Sequence, residues 1–553
     1  MTERQREPWW RGAVIYQVYP RSFRDANGDG VGDLRGCIDG LDYIASLGVD
    51  GIWLSPFFTS PMRDFGYDVA DYRGVDPVFG TLDDFDELVA KSHRCGLKVI
   101  IDQVYSHTSD VHAWFTQSRC SRDNLRADWY VWADPKEDGT PPTNWQSVFG
   151  GSAWTWDSRR GQYFLHNFLS SQPDLNLHNP EVQDAVLEVA RFWLGRGVDG
   201  FRLDALNFSM HDPELRDNPP VDATRRALAR RPHDFQQHLR NQSHPDIVQF
   251  LERIRGVLED YDGAFSVAEV GGPEPLGEMK AFTAEGRRLH SAYGFDFLYA
   301  DAISPVLVRE TAAAWPGLPG EGWPSWAFSN HDAPRAISRW CPLDPAVDAG
   351  RYAQLMLLLL CSMRGNVFLY QGEELGLPTA NVPFEYLQDP EAIANWPATL
   401  GRDSARTPMP WRAEAPNAGF TDGAPWLPVD PRHVALAIDQ QDQPGANSTL
   451  NFTRRLLQLR CDSAPLRWGE THFIDTVADD SLLAFIREYQ GERVLCLFNL
   501  DPSAAYELPV APEGWACVLG HGAMGGDAEE MTFNDALPAF LPPVSGLIAK
   551  RMG

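Results

Sequence analysis

Eight short runs rich in β-branched and aromatic residues recur along the chain, and segments with helical periodicity separate most of them. The predicted strands are Ala13–Pro20, Val49–Pro56, Leu97–Val104, Val198–Ala205, Phe265–Val270, Tyr293–Leu298, Trp326–Asn330 and Asn366–Tyr370. Strands that alternate with helices indicate a parallel sheet with helical crossovers. Eight such units predict an α/β fold, a closed (β/α)8 TIM barrel.

Local signals mark the ends of several helices. Capping residues, a first-turn proline and terminal glycines are typical of helix boundaries. They predict helices over Leu34–Leu47, from Thr81 to near Cys95, from Pro180 to Gly197, and over Leu450–Arg460.

Two stretches depart from this alternation. Residues 105–174 are rich in Trp, Asp, Ser, Asn and Gly and show no convincing crossover helix, so they are predicted to form an inserted subdomain. From residue 471 onward, strands follow one another between Gly, Asp and Pro turns, which favours an antiparallel β-sandwich. The predicted division is therefore 1–104 and 175–470 for the barrel, 105–174 for the insertion and 471–553 for the C-terminal domain.

Composition excludes several classes of function. The 553 residues carry 76 acidic against 48 basic side chains, a net charge of −28, which argues against nucleic-acid and anionic-membrane partners. The most apolar run, Leu355–Met363, has about half the length of a membrane span. The N-terminal residues lack the apolar region of a secretory signal, so a cytoplasmic location is expected. The eight cysteines are scattered and are predicted to be buried thiols.

Acids and histidines follow four of the predicted strands, at the end of the barrel where active sites lie. The third strand leads through Asp102 into Ser106 and His107, the fourth ends at Asp204, the fifth at Glu269, and the seventh leads into Asn330-His331-Asp332. One acid after a strand is more often a helix cap. Four such strand ends make coincidence less plausible.

Paired carboxyl groups are what glycoside cleavage requires, one protonated and one ionised. Arg202 lies two residues before Asp204 and faces the same side of the strand, so we expect it to lower the pKa of that carboxylate and keep it nucleophilic. Glu269 follows an apolar strand, where burial and nearby acids should raise its pKa. Glu269 is therefore the predicted proton donor.

These segments resemble the signature blocks of the α-amylase superfamily, glycoside hydrolase family 13, and are most similar to its α-glucosidase and oligo-1,6-glucosidase branches. The resemblance spans nearly the whole chain. It implies that Asp204 is the nucleophile, Glu269 the acid and base, and Asp332 the stabiliser of the transition state. Ser106 differs from the Asn of many members, which puts an amylase-type calcium site in doubt.

The resemblance also implies a closed glucose pocket. Asp64 and Tyr67 are similar to the clamp and stacking ring for the terminal glucose, and Arg402 to the arginine that pairs with that Asp, with Arg406 as the alternative. A charge-assisted Asp64–Arg402 pair would close the far end of the pocket and impose exo action. The remaining predicted substrate-binding residues are His107, Phe149, Phe168, Arg202 and His331; the two phenylalanines could equally belong to the core of the insertion.

The segment Asp25–Asp33 has the spacing of an EF-hand-like loop. Asp25, Asn27, Asp29 and Asp33 supply side-chain oxygens, and Val31 a backbone carbonyl. The loop lacks the final Glu, and its alternative interpretation is a turn without an ion. It predicts a structural Ca²⁺ or Mg²⁺, a role that the resemblance also implies. No organic cofactor is expected.

Together these features predict a retaining, exo-acting α-glucosidase for small α-glucosides. In the family a Val after the nucleophile goes with α-1,6 linkages, so Ala205 favours α-1,4 linkages such as that of maltose. Transglucosylation is an expected side activity, and the protein is expected to be a monomer or homodimer. Three alternatives stay open: a sucrose isomerase or trehalose synthase, an ancillary subunit of an amino-acid transporter, and a sugar-binding module.

Overall fold

The structure is a computed structural model of the 553-residue chain. It describes residues 7–229, 231–318, 320–344, 347–397, 401–476, 481–510, 514–521 and 535–552.

The strands, in chain order, are β1 (Val14–Val18), β2 (Gly51–Leu54), β3 (Phe58–Thr59), β4 (Asp71–Val75), β5 (Lys98–Val104), β6 (Trp132–Ala133), β7 (Trp154–Asp157), β8 (Gln162–Leu165), β9 (Gly200–Asp204), β10 (Phe265–Glu269), β11 (Ser291–Tyr293), β12 (Trp323–Ala327), β13 (Asn366–Tyr370), β14 (Glu470–Phe473), β15 (Leu482–Tyr489), β16 (Glu492–Asn499), β17 (Tyr506–Glu507), β18 (Trp515–His521), β19 (Asp535–Ala536), β20 (Phe540–Leu541) and β21 (Ser545–Arg551).

The α-helices are α1 (Pro20–Phe23), α2 (Leu34–Leu47), α3 (Leu82–Arg94), α4 (Ala113–Ser118), α5 (Pro180–Gly195), α6 (Ala223–Leu228), α7 (Ile247–Glu259), α8 (Pro275–Thr283), α9 (Pro305–Ala314), α10 (Ala336–Trp340), α11 (Ala349–Ser362), α12 (Pro390–Asn395), α13 (Pro431–Val434), α14 (Ile438–Gln441), α15 (Thr449–Asp462) and α16 (Ala464–Trp468).

Eight parallel strands close into a barrel in the order β1-β13-β12-β11-β10-β9-β5-β2, as predicted. Strands adjacent in the barrel are also consecutive among the barrel strands along the chain. Their inward-facing side chains form an apolar layer that includes Ile15, Trp53, Ile100, Val267 and Phe368. The barrel interior is therefore packed, and reactive groups can collect only at its ends.

Two strand predictions were displaced. The sixth strand is Ser291–Tyr293 rather than Tyr293–Leu298, and the seventh is Trp323–Ala327 rather than Trp326–Asn330. The hydroxyl of Ser291 donates to the carbonyl of Trp323, so a polar residue satisfied within the barrel concealed the start of the sixth strand. Pro324 similarly weakened the strand signal of the seventh, because proline lacks a backbone donor.

The predicted caps begin the barrel helices. Thr81 and Asp84 form a reciprocal capping box at α3, and Asn179 caps α5 ahead of Pro180. At the other end of α2, Gly48 adopts a left-handed conformation with φ 88°. These local signals fixed the helix starts to within a residue.

The insertion and the C-terminal part each contribute antiparallel sheets outside the barrel. The insertion contains the antiparallel sheet β6-β8-β7, which packs its own small apolar cluster around Trp145 and Trp154. The C-terminal part contains an antiparallel sheet in the order β14-β15-β16-β21-β18-β19 and the two-stranded sheet β17-β20. The domain boundaries themselves remain predictions.

Two sequence expectations concern burial. Within the described ranges, no helix combines the length and apolarity needed to cross a membrane. The expectation of uniformly buried thiols was wrong, because Cys120 and Cys461 are exposed, whereas Cys37, Cys361, Cys496 and Cys517 are buried. Cys120 and Cys461 lie at or just beyond the ends of α4 and α15, where side chains meet solvent.

Candidate active site

One buried guanidinium binds three carboxylates at the C-terminal ends of the barrel strands. Nη1 of Arg202 lies 2.7 Å from Oδ1 of Asp102 and 2.5 Å from Oδ1 of Asp204, and Nη2 lies 2.5 Å from Oε1 of Glu269. The side chains of Arg202 and Asp102 are fully buried, whereas those of Asp204 and Glu269 are 12% and 9% exposed. Asp204 and Glu269 therefore keep access to solvent above a buried Arg202–Asp102 floor.

Strand register brings these groups to one level. Arg202 of β9 pairs with Asp102 of β5 and with Val267 of β10, two residues before Glu269. Arg202 and Asp204 are two residues apart on one strand, so their side chains point to the same side. The closed barrel thus converts residues that are distant in sequence into one cluster.

Burial raises the pKa of Glu269 to about 7, as predicted in direction, but it also raises the pKa of Asp204 to about 7. The expectation that Arg202 would hold the pKa of Asp204 down was wrong. Loss of solvation outweighs one guanidinium that is shared with Asp102, whose pKa burial raises to about 6. One positive charge cannot balance three carboxylates, so the cluster retains a proton near neutral pH.

Arg202 contacts both of the carboxylates whose pKa values lie near 7. Nη1 of Arg202 donates to Asp204, whereas Nη2 donates to the hydroxyl of Tyr293 at 3.0 Å. Glu269 lies 2.5 Å from the same Nη2 as an ion pair and accepts hydrogen bonds of 3.3 Å from the Tyr293 hydroxyl and the Ala205 backbone N–H. Contacts with the charged form favour ionisation, so Arg202 stabilises the anions of both Asp204 and Glu269, and the retained proton is shared between these two groups.

Asp332 is a separately stabilised anion. Nη2 of Arg406 lies 2.5 Å from its Oδ1, Nε2 of His331 lies 3.3 Å from its Oδ2, and Nη1 of Arg402 lies 3.8 Å from Oδ1. Burial opposes ionisation, but His331, Arg406 and Arg402 together hold the pKa of Asp332 well below its usual range. Asp332 is therefore a carboxylate at neutral pH.

His331 is oriented by its neighbours. The side-chain amide of Gln17 lies 2.7 Å from Nδ1, which makes Nδ1 the acceptor and leaves the proton on Nε2, facing Asp332 and the Tyr67 hydroxyl. Burial lowers the pKa of His331 to about 3, so the ring is neutral. A neutral N–H donor at this position can bind a sugar hydroxyl.

Arg402 closes the far end of the site through Asp64. Its Nη2 lies 2.7 Å from Oδ1 of Asp64 and 2.7 Å from Oδ1 of Asp389. Arg406 contacts Asp332 instead, so the preferred partner of Asp64 is Arg402, as the sequence indicated. Gln172 also donates to Asp64, at 3.0 Å.

Aromatic rings line the space between these ends. Tyr67 stacks on His331 with ring centroids 5.5 Å apart. His107 packs against Phe168 at 5.1 Å, and burial lowers the pKa of His107 to about 4, so it is neutral. Phe168 is half-buried and so is Phe149, which lies 6.2 Å from it.

The guanidinium of Arg402 covers the Phe149 ring at 5.3 Å. Phe149 and Phe168 thus contact the pocket residues rather than only the core of the insertion. All the predicted catalytic and substrate-binding residues come together in one place.

Other residues of the site escaped the sequence reasoning. Gln172 contacts both Asp64 and His107, and Asp389 holds the backbone and side chain of Arg402. Asp389 also caps α12, and an Asp before Pro390 is expected from local sequence to be only a helix cap. Gln172 lies in a Ser-Gln-Pro-Asp loop of the insertion with no local pattern. Neither residue carried a signal of its own role.

In the loop Asp25–Asp33, the side chains of Asp25 and Asp33 are buried, whereas Asn27 and Asp29 are exposed. Backbone amides of Gly28 and Gly30 donate to Asp25 at 2.7 and 2.8 Å, and that of Gly36 donates to Asp33 at 2.6 Å. The donors are hard oxygens, which suit Ca²⁺ or Mg²⁺. Among the described residues, the carboxylates of this loop do not lie within 4.8 Å of one another as a set of three. The side chain of Asn27 and the backbone carbonyl of Val31 would therefore have to complete an ion site.

Residues 17–469 match the family model described as the catalytic domain of α-amylase. A protein of Rhizobium meliloti (strain 1021) with the name "Probable alpha-glucosidase" is 53% identical over 511 residues, which cover 91% of each chain. The family match includes every strand of the barrel except the start of the first.

Two solved structures share the whole architecture. The α-glucosyl transfer enzyme XgtA is 51% identical with a TM-score of 0.89, over 99% of this chain and all of that chain. The trehalulose synthase MutB from Pseudomonas mesoacidophila MX-45 is 32% identical with a TM-score of 0.87, over 99% of this chain and all of that chain. The relatives that match most of this chain are thus named as an α-glucosidase, an α-glucosyl transfer enzyme and a trehalulose synthase.

Proposed function

This chain belongs to the α-amylase family and is a glycoside hydrolase of the α-glucosidase class, and we propose that it releases terminal glucose from small α-1,4-glucosides with retention of configuration. The observation that carries the proposal is the convergence of Asp204, Glu269 and Asp332 on one pocket whose far end Asp64 and Arg402 close.

In the first step, protonated Glu269 transfers its proton to the glycosidic oxygen while Asp204 attacks the anomeric carbon. The C–O bond to the leaving group breaks, and a glucosyl ester forms on Asp204. Positive charge develops on the ring as the bond breaks. Asp332, kept ionised by Arg406 and Arg402, is the fixed anion that offsets this charge.

In the second step, ionised Glu269 removes a proton from water, and the resulting hydroxide attacks the anomeric carbon from the face that the leaving group vacated and displaces Asp204. Retaining enzymes need carboxyl groups ~5–5.5 Å apart, whereas inverting enzymes need ~6.5–9.5 Å to admit a water. Asp204 and Glu269 each lie 2.5 Å from a nitrogen of the same guanidinium, which supports the shorter separation. An alcohol or sugar in place of water gives transglucosylation.

Exo action follows from the far end of the pocket. The side chains of Asp64 and Arg402 are 5% and 12% exposed and bonded to each other. Hydroxyls of a terminal glucose can replace solvent on these charged groups, whereas a further sugar would have to displace the pair. The pocket therefore suits the non-reducing end of a substrate.

The α-1,4 preference rests on Ala205. This residue adopts a left-handed conformation with φ 41°, and its N–H lies 3.3 Å from Oε2 of Glu269. Its methyl group is the smallest side chain that this position can carry apart from glycine. The space beside Glu269 then accepts a leaving sugar attached through a secondary hydroxyl.

A panel of maltose, isomaltose, sucrose, trehalose and maltotriose tests linkage and mode together. We expect glucose from maltose and maltotriose, with the α anomer detected first by proton NMR. The matched Asp204→Asn variant should release none at the same protein concentration. An excess of β-glucose over its equilibrium share at early times would refute retention, and release of labelled glucose first from maltotriose labelled at its reducing end would refute exo action at the non-reducing end.

The similarity to a trehalulose synthase favours a second candidate, an isomerising glucosyltransferase. Such an enzyme uses the same carboxylates but returns the glucosyl group to the released sugar before water enters. With sucrose, it would yield an isomeric disaccharide without equimolar free glucose. Chromatography of the sucrose reaction separates the two activities.

We further propose that the 25–33 loop binds Ca²⁺ or Mg²⁺ through Asp25, Asn27, Asp29, Val31 and Asp33 and stabilises the segment after β1. The ion would neutralise three clustered carboxylates and takes no part in bond cleavage. The cytoplasmic location and the monomeric or homodimeric state also remain predictions.

A further inference from the structure

A histidine cluster lies outside the glucose pocket, where loops that precede two barrel helices meet. His178 comes just before α5, and His244 and Asp246 come just before α7. Among the residues that the structure describes, these three form the group of His, Cys, Asp or Glu side chains whose ligand atoms all lie within 4.8 Å of one another. We propose that they form a binding site for a divalent transition-metal cation of the Zn²⁺ class.

The spacing of the ligand atoms is close to that of a bound ion. Nδ1 of His244 lies 3.6 Å from Oδ2 of Asp246 and accepts a 3.4 Å hydrogen bond from the Asp246 backbone N–H, which a bound ion would replace. The rings of His178 and His244 have centroids 5.2 Å apart. Zinc bonds of ~2.0–2.1 Å in a tetrahedral arrangement place ligand atoms ~3.3–3.5 Å apart. Small side-chain rotations would therefore close the group around one ion.

His178 already has the orientation of a metal ligand. Its Nε2 lies 2.8 Å from the backbone carbonyl oxygen of His211, so Nε2 carries the proton and donates it. Metal-bound histidines characteristically donate their other ring N–H to a carbonyl or carboxylate, which fixes the tautomer. The lone pair of Nδ1 is then free for a cation.

Asp246 is available as well. It occupies the N-cap position of α7, but its side chain makes no capping hydrogen bond and is 58% exposed. Asp212 and Arg216 lie nearby and pair with each other at 2.6 Å, so their charges offset locally. The carboxylate of Asp246 therefore supplies the net negative charge of the cluster.

The donor set selects the class of ion. Two imidazole nitrogens and one carboxylate oxygen suit Zn²⁺ and its neighbours, whereas Ca²⁺ and Mg²⁺ prefer oxygen ligands alone. A water molecule would complete a four-coordinate site. This distinguishes the cluster chemically from the all-oxygen loop at 25–33.

A bound cation would connect three segments of the barrel mouth. His178 lies between the insertion and α5, and it donates to His211 on the loop after β9. The segment that carries His244 contacts the same loop, because the N–H of Ser243 donates to the carbonyl of Asn207 at 2.7 Å. The loop after β9 follows the proposed nucleophile directly. The expected role of the ion is to stabilise this region rather than to react.

Metal titration of the intact chain tests the proposal. After chelator treatment and removal of the chelator, we expect one equivalent of Zn²⁺ to bind by calorimetry and one equivalent of Co²⁺ to give visible ligand-field absorption, both in excess Mg²⁺. His244→Ala and Asp246→Ala should each weaken binding at least ~10-fold, since even second-shell changes cost that much. Zn²⁺ should raise the thermal midpoint of the unmodified protein and not that of either variant.

His472→Ala is the matched control, because His472 is exposed on β14 and belongs to no such cluster. It should bind like the unmodified chain. Asp246→Ala keeps the test decisive if His244→Ala fails to fold, since no capping bond is lost. Absence of Zn²⁺ binding by the unmodified chain, or equal binding by Asp246→Ala, would overturn the proposal.

Discussion

The bond between Arg402 and Asp64 is the sharpest test of the closed pocket, because it joins residues 338 positions apart. Replacing Arg402 by Met removes the charge and keeps the stem. A charge-assisted hydrogen bond contributes ~1.5–3 kcal/mol. If the pair binds the terminal glucose as a unit, kcat/KM should fall roughly 10- to 150-fold, at ~1.36 kcal/mol for each factor of ten.

Stability should fall for a separate reason. Arg402 also neutralises Asp389, whose side chain is fully buried, and Asp64 is only 5% exposed. Removing one partner of a buried pair costs ~3–5 kcal/mol, because the other charge is left uncompensated. Thermal unfolding of Arg402→Met should therefore begin at a lower temperature. Asp64→Asn, which leaves the Arg402–Asp389 pair intact, should destabilise much less.

A double-mutant cycle separates the two effects. Glucose release from maltose is measured for the original chain, Arg402→Met, Asp64→Asn and the double variant, at a temperature where all four are folded. A coupling of ~1.5–3 kcal/mol in kcat/KM is expected. Arg287→Met, which alters a side chain 66% exposed, is the control and should leave both quantities unchanged. Additive losses would refute the view that the pair acts together on the terminal glucose.

Four further outcomes are expected. Asp204→Asn should lower turnover of maltose by roughly 10⁴-fold or more, since it removes the nucleophile, and a smaller loss would contradict the covalent route. The wild-type rate should fall as pH rises through about 7, where Glu269 loses its proton, and Glu269→Gln should lack this limb on an activated aryl glucoside. A limb that persists in the variant would assign the titration elsewhere. Ala205→Val should lower the maltose-to-isomaltose ratio of kcat/KM and cost ~1–3 kcal/mol of stability, because a β-branched residue tolerates φ 41° poorly. An unchanged ratio would remove the basis for the α-1,4 preference. A chelator should lower the thermal midpoint of the original chain by more than that of Asp25→Asn, which keeps the histidine cluster but lacks a ligand of the 25–33 loop, and equal shifts would contradict an ion at that loop.

The barrel could be predicted from the sequence because each strand–helix unit is specified by residues that are close together in the chain. A buried parallel strand needs a short apolar run, and a crossover helix needs a cap and one apolar face, so Thr81 and Pro180 could be placed from neighbours alone. The prediction of the sixth strand was displaced because the strand begins with a buried polar residue, Ser291. Ser291 is satisfied by the next strand, while the apolar residues that follow pack into the barrel as a loop that includes Leu298.

The site divides in the same way. Asp204 and Glu269 could be found because each ends a predicted strand, and barrel geometry does the rest. Gln172 and Asp389 could not, because their roles depend on contacts with Asp64 and Arg402 across long stretches of chain. Local pattern carries no information on which distant charge a side chain will meet. The pKa of Asp204 was mispredicted for a related reason, since burial depends on the packed barrel and not on the neighbouring arginine.

The charges of the pocket form two groups with different balances. In the first group, one guanidinium contacts the three carboxylates of Asp102, Asp204 and Glu269. In the second group, two guanidiniums contact the three carboxylates of Asp64, Asp332 and Asp389. The first group is short of positive charge, so it binds a proton near neutral pH, whereas Asp332 in the second stays ionised. Acid catalysis needs a proton that can leave, and charge stabilisation needs an anion that cannot accept it. Placing the arginines unequally meets both requirements within one cavity, with a carboxyl group in each role.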